Sequence, residues 1–362
     1  MKVLHICSEH SWGGGEKQAM QLVEGTNRRG IESLVFCKSG SAVADYCVNS
    51  GIQNFTDSFK SAYSITTIVR LVQLIRSTKP DMIHMHSSKA HTVGLFASLF
   101  CKTPLVLSRR VHSPVKNNLF SRWKYNHPNI KKIICVSQAV ERLLSVSIRN
   151  PVKLTTIYGG IDLETTISRY QPDYLQDLYS IKDSEVVIGF MGSLNDIKDP
   201  LTFVEICAEL SEKQNNLKCV LIGEGPMRKQ IEQRILQRNL TGQVILTGFT
   251  HKNPEALSSL DMLVLCSKSE GFPNVILEAA ALQVPVVATD VGGIREFIDH
   301  GLTGLLSSPG DRNQLIANCE RLLHDQLLRQ SVIDNAHLKV ENFSHDQGLD
   351  QTIELYREVI NQ

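Results

Sequence analysis

Short apolar runs alternate with helix-length amphipathic stretches along the chain, and this rhythm predicts parallel strands joined by crossover helices. Lys2–Cys7, residues 31–37, Met82–Met85, residues 104–108 and residues 132–137 read as buried strands, with helices expected over 16–29 and Ile65–Thr78. Residues 8–15 are expected as a glycine loop, and Ser137 as the cap of a helix running to about residue 144. Residues 163–183 are polar and irregular and read as an interdomain linker. A second series follows, with strands over Val186–Met191, 219–223, Val244–Gly248, 262–266 and 284–288. The expected architecture is α/β with two Rossmann-like domains, 1–163 and 164–345, their parallel sheets facing across a cleft. A last helix at about 346–362 crosses back onto the first domain.

The segment 260–290, LDMLVLCSKSEGFPNVILEAAALQVPVVATD, concentrates the chemistry. The apolar run at 262–266 stops at Ser267, Lys268 and Ser269, so the strand delivers Glu270 to an edge that ligands reach. Gly271 allows a tight turn, Pro273 suits the first helical position, and residues 274–282 place Val275, Ile276, Ala279 and Leu282 on one apolar side. The N–H groups of such a helix start favour a phosphate. Glu278 lies eight residues after Glu270, so a ligand touching both acids must be elongated, as a nucleotide-sugar is.

Composition narrows the class. The 362 residues, 42% apolar and 21% charged, suit a soluble protein of two domains. The longest near-apolar segment, residues 93–101, is far short of the ~20 a membrane span needs, and residues 1–7 are too short for a signal peptide. Nine cysteines without a CxxC pair predict reduced core thiols and a cytosolic setting. His84 and His86 share a strand face, but no third ligand follows in sequence, so no metal site is expected there. His86 is read as a cleft residue and His84 as structural.

Net charge near zero conceals an asymmetry. Residues 1–180 carry 22 Lys and Arg against 12 Asp and Glu, which leaves 16 against 25 for the remainder. No acid occurs between Asp81 and Glu141, where Arg109, Arg110, Lys116, Arg122 and Lys124 interleave with Phe120, Trp123 and Tyr125. Such a strip suits an anionic partner, either a phospholipid face met through residues 102–132 or an anionic or lipid-linked acceptor, and its alternative reading is a solvated basic face. No nucleic-acid partner is expected, because no nucleic-acid module accompanies the strip.

The pattern EGFPNVILEA followed by VPVVATDVGGIREFI resembles the donor-binding signature of the retaining family 4 glycosyltransferases, bacterial type, which have the GT-B fold. The resemblance implies that Glu270 contacts the donor sugar and Glu278 the ribose, while the backbone N–H groups at Asn274 and Val275 meet the diphosphate and Gly271 and Phe272 belong to the same donor site. It also assigns Gly14 and Gly15 to the donor phosphates and His112 to the catalytic histidine that reaches over the sugar. Where the family has GRL and then a lysine, this chain has Gly192, Ser193, Leu194 and Lys198. Where the family usually has an asparagine, it has Gly159. The implied activity is retaining transfer from a nucleotide-sugar, a UDP-sugar above others, to an acceptor hydroxyl in lipopolysaccharide, polysaccharide or glycolipid synthesis. It needs no cofactor and no metal, and its place is the cytoplasm, peripheral at the inner membrane face. Two other readings remain: a nucleotide-sugar epimerase of the same fold and a non-catalytic nucleotide- or glycan-binding relative.

Overall fold

Seven parallel strands form one sheet of the computed structural model, which describes residues 1–361. They are β1 (Lys2–Cys7), β2 (Glu32–Lys38), β3 (Asn54–Asp57), β4 (Met82–Met85), β5 (Leu105–Arg109), β6 (Ile130–Cys135) and β7 (Leu154–Thr156), in the order β3-β2-β1-β4-β5-β6-β7. This sheet belongs to a unit comprising Met1–Gly159 and the chain from Asp346 onward. The central strands β1, β2, β4 and β5 are buried on both faces, which is why they read as continuous apolar runs. On one face Val3, Met82, Val106 and Ile134 meet Leu349, Ile353 and Tyr356 of the last helix, His345–Ile360. Further along the same face, Ala19, Met20 and Val23 of the helix Gly14–Arg28 pack with Val35, Cys37 and Cys47.

That helix starts earlier than the sequence predicts. Gly14 and Gly15 lie in its first turn and not in a preceding loop. Low helix propensity argues against glycine there. However, the Glu16 carboxylate accepts from its own N–H and from that of Gly13, which anchors the start.

The second unit, Gly160–His345, holds six parallel strands: β8 (Val186–Met191), β9 (Leu217–Ile222), β10 (Val244–Gly248), β11 (Met262–Leu265), β12 (Val286–Thr289) and β13 (Leu305–Ser307). Their order is β10-β9-β8-β11-β12-β13. Ile188 and Phe190 alternate with residues facing the other side and pack on Phe203 and Cys207 of the helix Pro200–Lys213. All nine cysteines are free thiols, and eight are buried.

The polar stretch at 163–183 is not a linker. It forms two short helices, Leu163–Ser168 and Tyr174–Tyr179, that belong to the second unit. Leu175 is 1% exposed, Arg169 makes a two-oxygen ion pair with Glu255, and Ser258 and Ser259 accept from the backbone N–H groups of Gln171 and Leu175. Six-residue helices with a single apolar anchor leave little periodicity to read. Where the chain enters and leaves this unit the two segments pair: Ile161 donates to the Phe343 carbonyl and His345 to that of Ile161.

Candidate active site

The strand order of the second sheet reverses between β8 and β11, and open parallel sheets bind ligands beyond the carboxyl ends of the strands at such a switch point. The loops leaving those two strands bring Lys198 and Glu270 together, with Nζ 2.5 Å from Oε1. Ser267 Oγ donates to the same oxygen at 2.6 Å, and Thr289 Oγ1 holds the Ser267 carbonyl at 2.5 Å. The Glu270 side chain is 8% exposed and that of Lys198 25% exposed, so the pair sits at an edge where the lysine still meets solvent. Close backbone approach fixes this corner: a Cβ on Gly292, whose φ is +56°, would stand 1.8 Å from the Glu270 carbonyl oxygen. A Cβ on Gly223 would likewise stand 2.0 Å from the Gly192 carbonyl oxygen.

The helix Asn274–Ala281 begins beside Glu270. Pro273 is its N-cap and not, as expected, its first residue, and it offers no side-chain cap. Half-buried Asn274 and Val275 carry first-turn N–H groups, which helix geometry aims beyond the helix start. Glu278 is buried one turn further on. The Phe272 ring stacks on Phe343 with centroids 5.6 Å apart, so this residue presents its backbone and not its ring to the loop. Gly271 is buried, and Ser193 is exposed on the loop after β8. A cavity of about 430 Å³ lies elsewhere, beside β12 and β13, lined by Asp290, Arg295, His300 and Gln314 among others; none of the expected donor residues lines it.

In the first unit the reversal falls between β1 and β4. Register pairs His5 with His84, and His86 follows at the end of β4. The chain offers two neighbouring histidines here; strand pairing supplies His5 as a third, with ring nitrogens of all three within 4.8 Å of one another. Their ring nitrogens are hydrogen-bonded except His5 Nε2, which is buried without a partner. His84 takes Tyr356 Oη at 2.5 Å and Ser108 Oγ at 2.8 Å, and His5 Nδ1 lies 3.0 Å from His86 Nε2. Burial first, and the Arg110 charge second, hold His5 down to about 3, and burial likewise keeps His84 and His86 well below the usual imidazole range.

His112 lies half-buried after β5. Gly14 and Gly15 have no positive φ, a Cβ on Gly14 would meet nothing within 4 Å, and one on Gly15 would make an ordinary 3.5 Å contact with Arg110 Cδ. Packing within the unit therefore does not require glycine at either position. That leaves room for close approach by a ligand.

This architecture recurs in known proteins. The model of glycosyltransferase family 4 matches residues 12–165, and that of glycosyl transferases group 1 matches residues 176–339. The chain belongs to the family 4 glycosyltransferases and has the GT-B fold. Among relatives, an uncharacterized glycosyltransferase of Methanocaldococcus jannaschii is 27% identical over 77% of this chain and 75% of its own. The Escherichia coli UDP-Gal:alpha-D-GlcNAc-diphosphoundecaprenol alpha-1,3-galactosyltransferase is 23% identical over 99% of this chain and 97% of its own. The crystal structure of Anabaena Alr3699/HepE in complex with UDP-glucose superposes with a TM-score of 0.87 at 22% identity, covering 99% of this chain and 100% of that one.

Proposed function

We propose that this glycosyltransferase moves a sugar from a UDP-sugar to a hydroxyl of an anionic glycan or lipid-linked acceptor, in polysaccharide, lipopolysaccharide or glycolipid synthesis. The observation that carries the donor half is the corner at the β8/β11 switch point, where a lysine, a buried glutamate and a helix start converge. In this reading Lys198 and the N–H groups of Asn274 and Val275 stabilise the charge that grows on the departing diphosphate. A lysine and a helix start serve that role without a divalent cation, so the reaction is metal-independent. Glu270 reads the sugar hydroxyls and Glu278 the ribose, as in the family signature. His112 hydrogen-bonds the donor sugar and helps position the acceptor. Retention at the anomeric carbon follows from the same family resemblance, by front-face attack in which the leaving phosphate takes the acceptor proton. The UDP-glucose in the Anabaena structure and the UDP-Gal of the Escherichia coli enzyme favour uridine donors.

Peripheral contact with an anionic, cytoplasmic membrane face completes the reading. Tyr63, Phe96, Phe120 and Trp123 form a cluster with centroids 5.7 to 6.2 Å apart, next in sequence to exposed Leu119 and to the bases Lys116 and Arg122. Among the described residues no helix is long and apolar enough to cross a membrane.

The test incubates the protein with UDP-sugars, with and without lipid-linked and soluble glycan acceptors, and follows UDP release and the anomeric configuration of the product by NMR. Steady acceptor-dependent release with retention supports the proposal. Binding without release points to the non-catalytic relative, and interconversion of UDP-sugars without an acceptor points to the epimerase.

A further inference from the structure

Arg110 follows β5 and leans on the β1/β4 switch point of the first unit. Its Nε donates to Gln18 Oε1 at 3.1 Å, both Nη atoms lie 3.2 Å from His86 Nδ1, and Nη1 also reaches the His86 carbonyl at 3.4 Å. A guanidinium only donates, so His86 Nδ1 must accept; His86 then carries its proton on Nε2 and donates it to His5 Nδ1. His5 in turn must carry its proton on Nε2, a fully buried atom with no partner. The tautomers of two histidines are thus dictated by one arginine, and both rings are neutral.

This arrangement fixes a cation without neutralising it. All of its acceptors are uncharged, and among the described residues no carboxylate lies within the 4 Å of an ion pair. Glu16, whose field reaches it, spends its carboxylate on the helix start. One N–H of Nη2 has no acceptor among the described residues. The Arg110 side chain is half-buried, and its Cδ would lie 3.5 Å from a Cβ placed on Gly15 at the start of the helix Gly14–Arg28. Room for its holder comes from Gly159, where a Cβ would stand 2.6 Å from Gln18 Nε2. A charge that has lost part of its hydration and gained no counter-charge is costly, and an anion at the open N–H relieves that cost.

From this geometry we infer that Arg110 is an anion-binding residue for the acceptor: it receives a phosphate oxygen of the acceptor substrate at the β1/β4 switch point, with Gln18, His86 and Gly159 as positioning residues. The inference rests on the proposed transferase reading only in calling the ligand an acceptor; the anion site stands on the side chains named.

The experiment uses the full chain saturated with UDP, which occupies the donor diphosphate position, and glycerol 3-phosphate as probe with glycerol as its uncharged control. Midpoints of thermal unfolding give apparent affinities. Wild-type protein is expected to be stabilised by glycerol 3-phosphate and not by glycerol, and Arg110→Met to weaken the apparent affinity at least tenfold. Arg110→Lys keeps the charge but loses the fork and should fall between the two, which preserves the test if the methionine variant folds poorly. Cosedimentation with phosphatidylglycerol vesicles separates the sources: a loss for Arg110→Met in vesicle binding assigns the phosphate to a lipid, and a loss only with the soluble probe assigns it to a sugar phosphate. Undiminished binding of both by Arg110→Met, or binding of neither the soluble probe nor the vesicles by UDP-saturated wild type, overturns the inference. Loss of the UDP response with the phosphate response intact instead refutes the donor assignment and leaves the anion site standing.

Discussion

Glu270→Gln keeps the shape of the side chain and removes its charge, and the structure makes two separable demands on the outcome. The first concerns stability. Breaking a fully buried ion pair costs about 3–5 kcal/mol, and an exposed one contributes about 0–1 kcal/mol. Here the glutamate is 8% exposed and the lysine 25%, and the amide still offers Ser267 an acceptor, so the expected loss is about 1–2 kcal/mol in urea denaturation. The second concerns ligands. The Lys198 charge is shared with Glu270 at 2.5 Å; once the acid is neutral, the lysine is wholly available to a diphosphate. UDP should therefore bind the variant at least as tightly as wild type. The UDP-sugar that wild type prefers should lose its advantage over UDP by about 1.5–3 kcal/mol, the size of a hydrogen bond to a charged group, or roughly 10- to 150-fold in Kd. Calorimetry with UDP and that UDP-sugar measures both. An unchanged preference for the UDP-sugar, or weaker UDP binding in a variant of wild-type stability, refutes the assignment of Glu270 to the sugar.

Glu278→Ala should weaken UDP binding by about 1.5–3 kcal/mol in the same titration, and unchanged affinity removes the ribose role. Gly292→Ala must place a Cβ 1.8 Å from the Glu270 carbonyl oxygen at a φ of +56°, so a loss of about 3 kcal/mol or more in denaturant unfolding is expected, together with a large loss of turnover. Gly14→Ala is its counterpart: with open space around the new methyl group, stability should stay within about 1 kcal/mol of wild type while turnover falls, and full activity would show that no ligand approaches the loop. His5 is buried neutral at about 3 against an ordinary 6.5, so its contribution is fully present above the unfolded value and is lost as pH falls from about 6.5 towards 3, by about 1.4 kcal/mol per pH unit for this residue. Unfolding free energies at pH 7, 6 and 5 should fall in that order in wild type, and less steeply in His5→Gln.

What the sequence disclosed, and what it hid, follows from range. Strands buried on both faces are written as local apolar runs, and the bounds of β1, β4 and β8 can be read directly. The Glu270 corner is legible because its acid, turn glycine and helix start lie within a dozen residues. Strand order is not local. Nothing near His84 in the chain announces that β1 sets His5 beside it, so a cluster that strand pairing completes was read as an isolated pair. The basic strip shows a related limit, since composition gives the same sign to residues whose surroundings differ. Lys124 lies buried against the Ser88 carbonyl and Thr92 Oγ1, and burial, then Arg109, lowers it to about 8; Lys116 and Arg122 face solvent. Arg109 and Arg110 are both half-buried with uncharged holders, and of the two it is Arg110 that donates to His86 at the β1/β4 reversal. Each sheet thus carries a fixed cation at its reversal point, and the two differ in one respect. Lys198 is held against a carboxylate and can be released to a competing anion, whereas Arg110 rests on neutral rings whose protons it has itself placed. The first suits a leaving group whose charge appears during reaction. The second suits a substrate whose charge is there from the start.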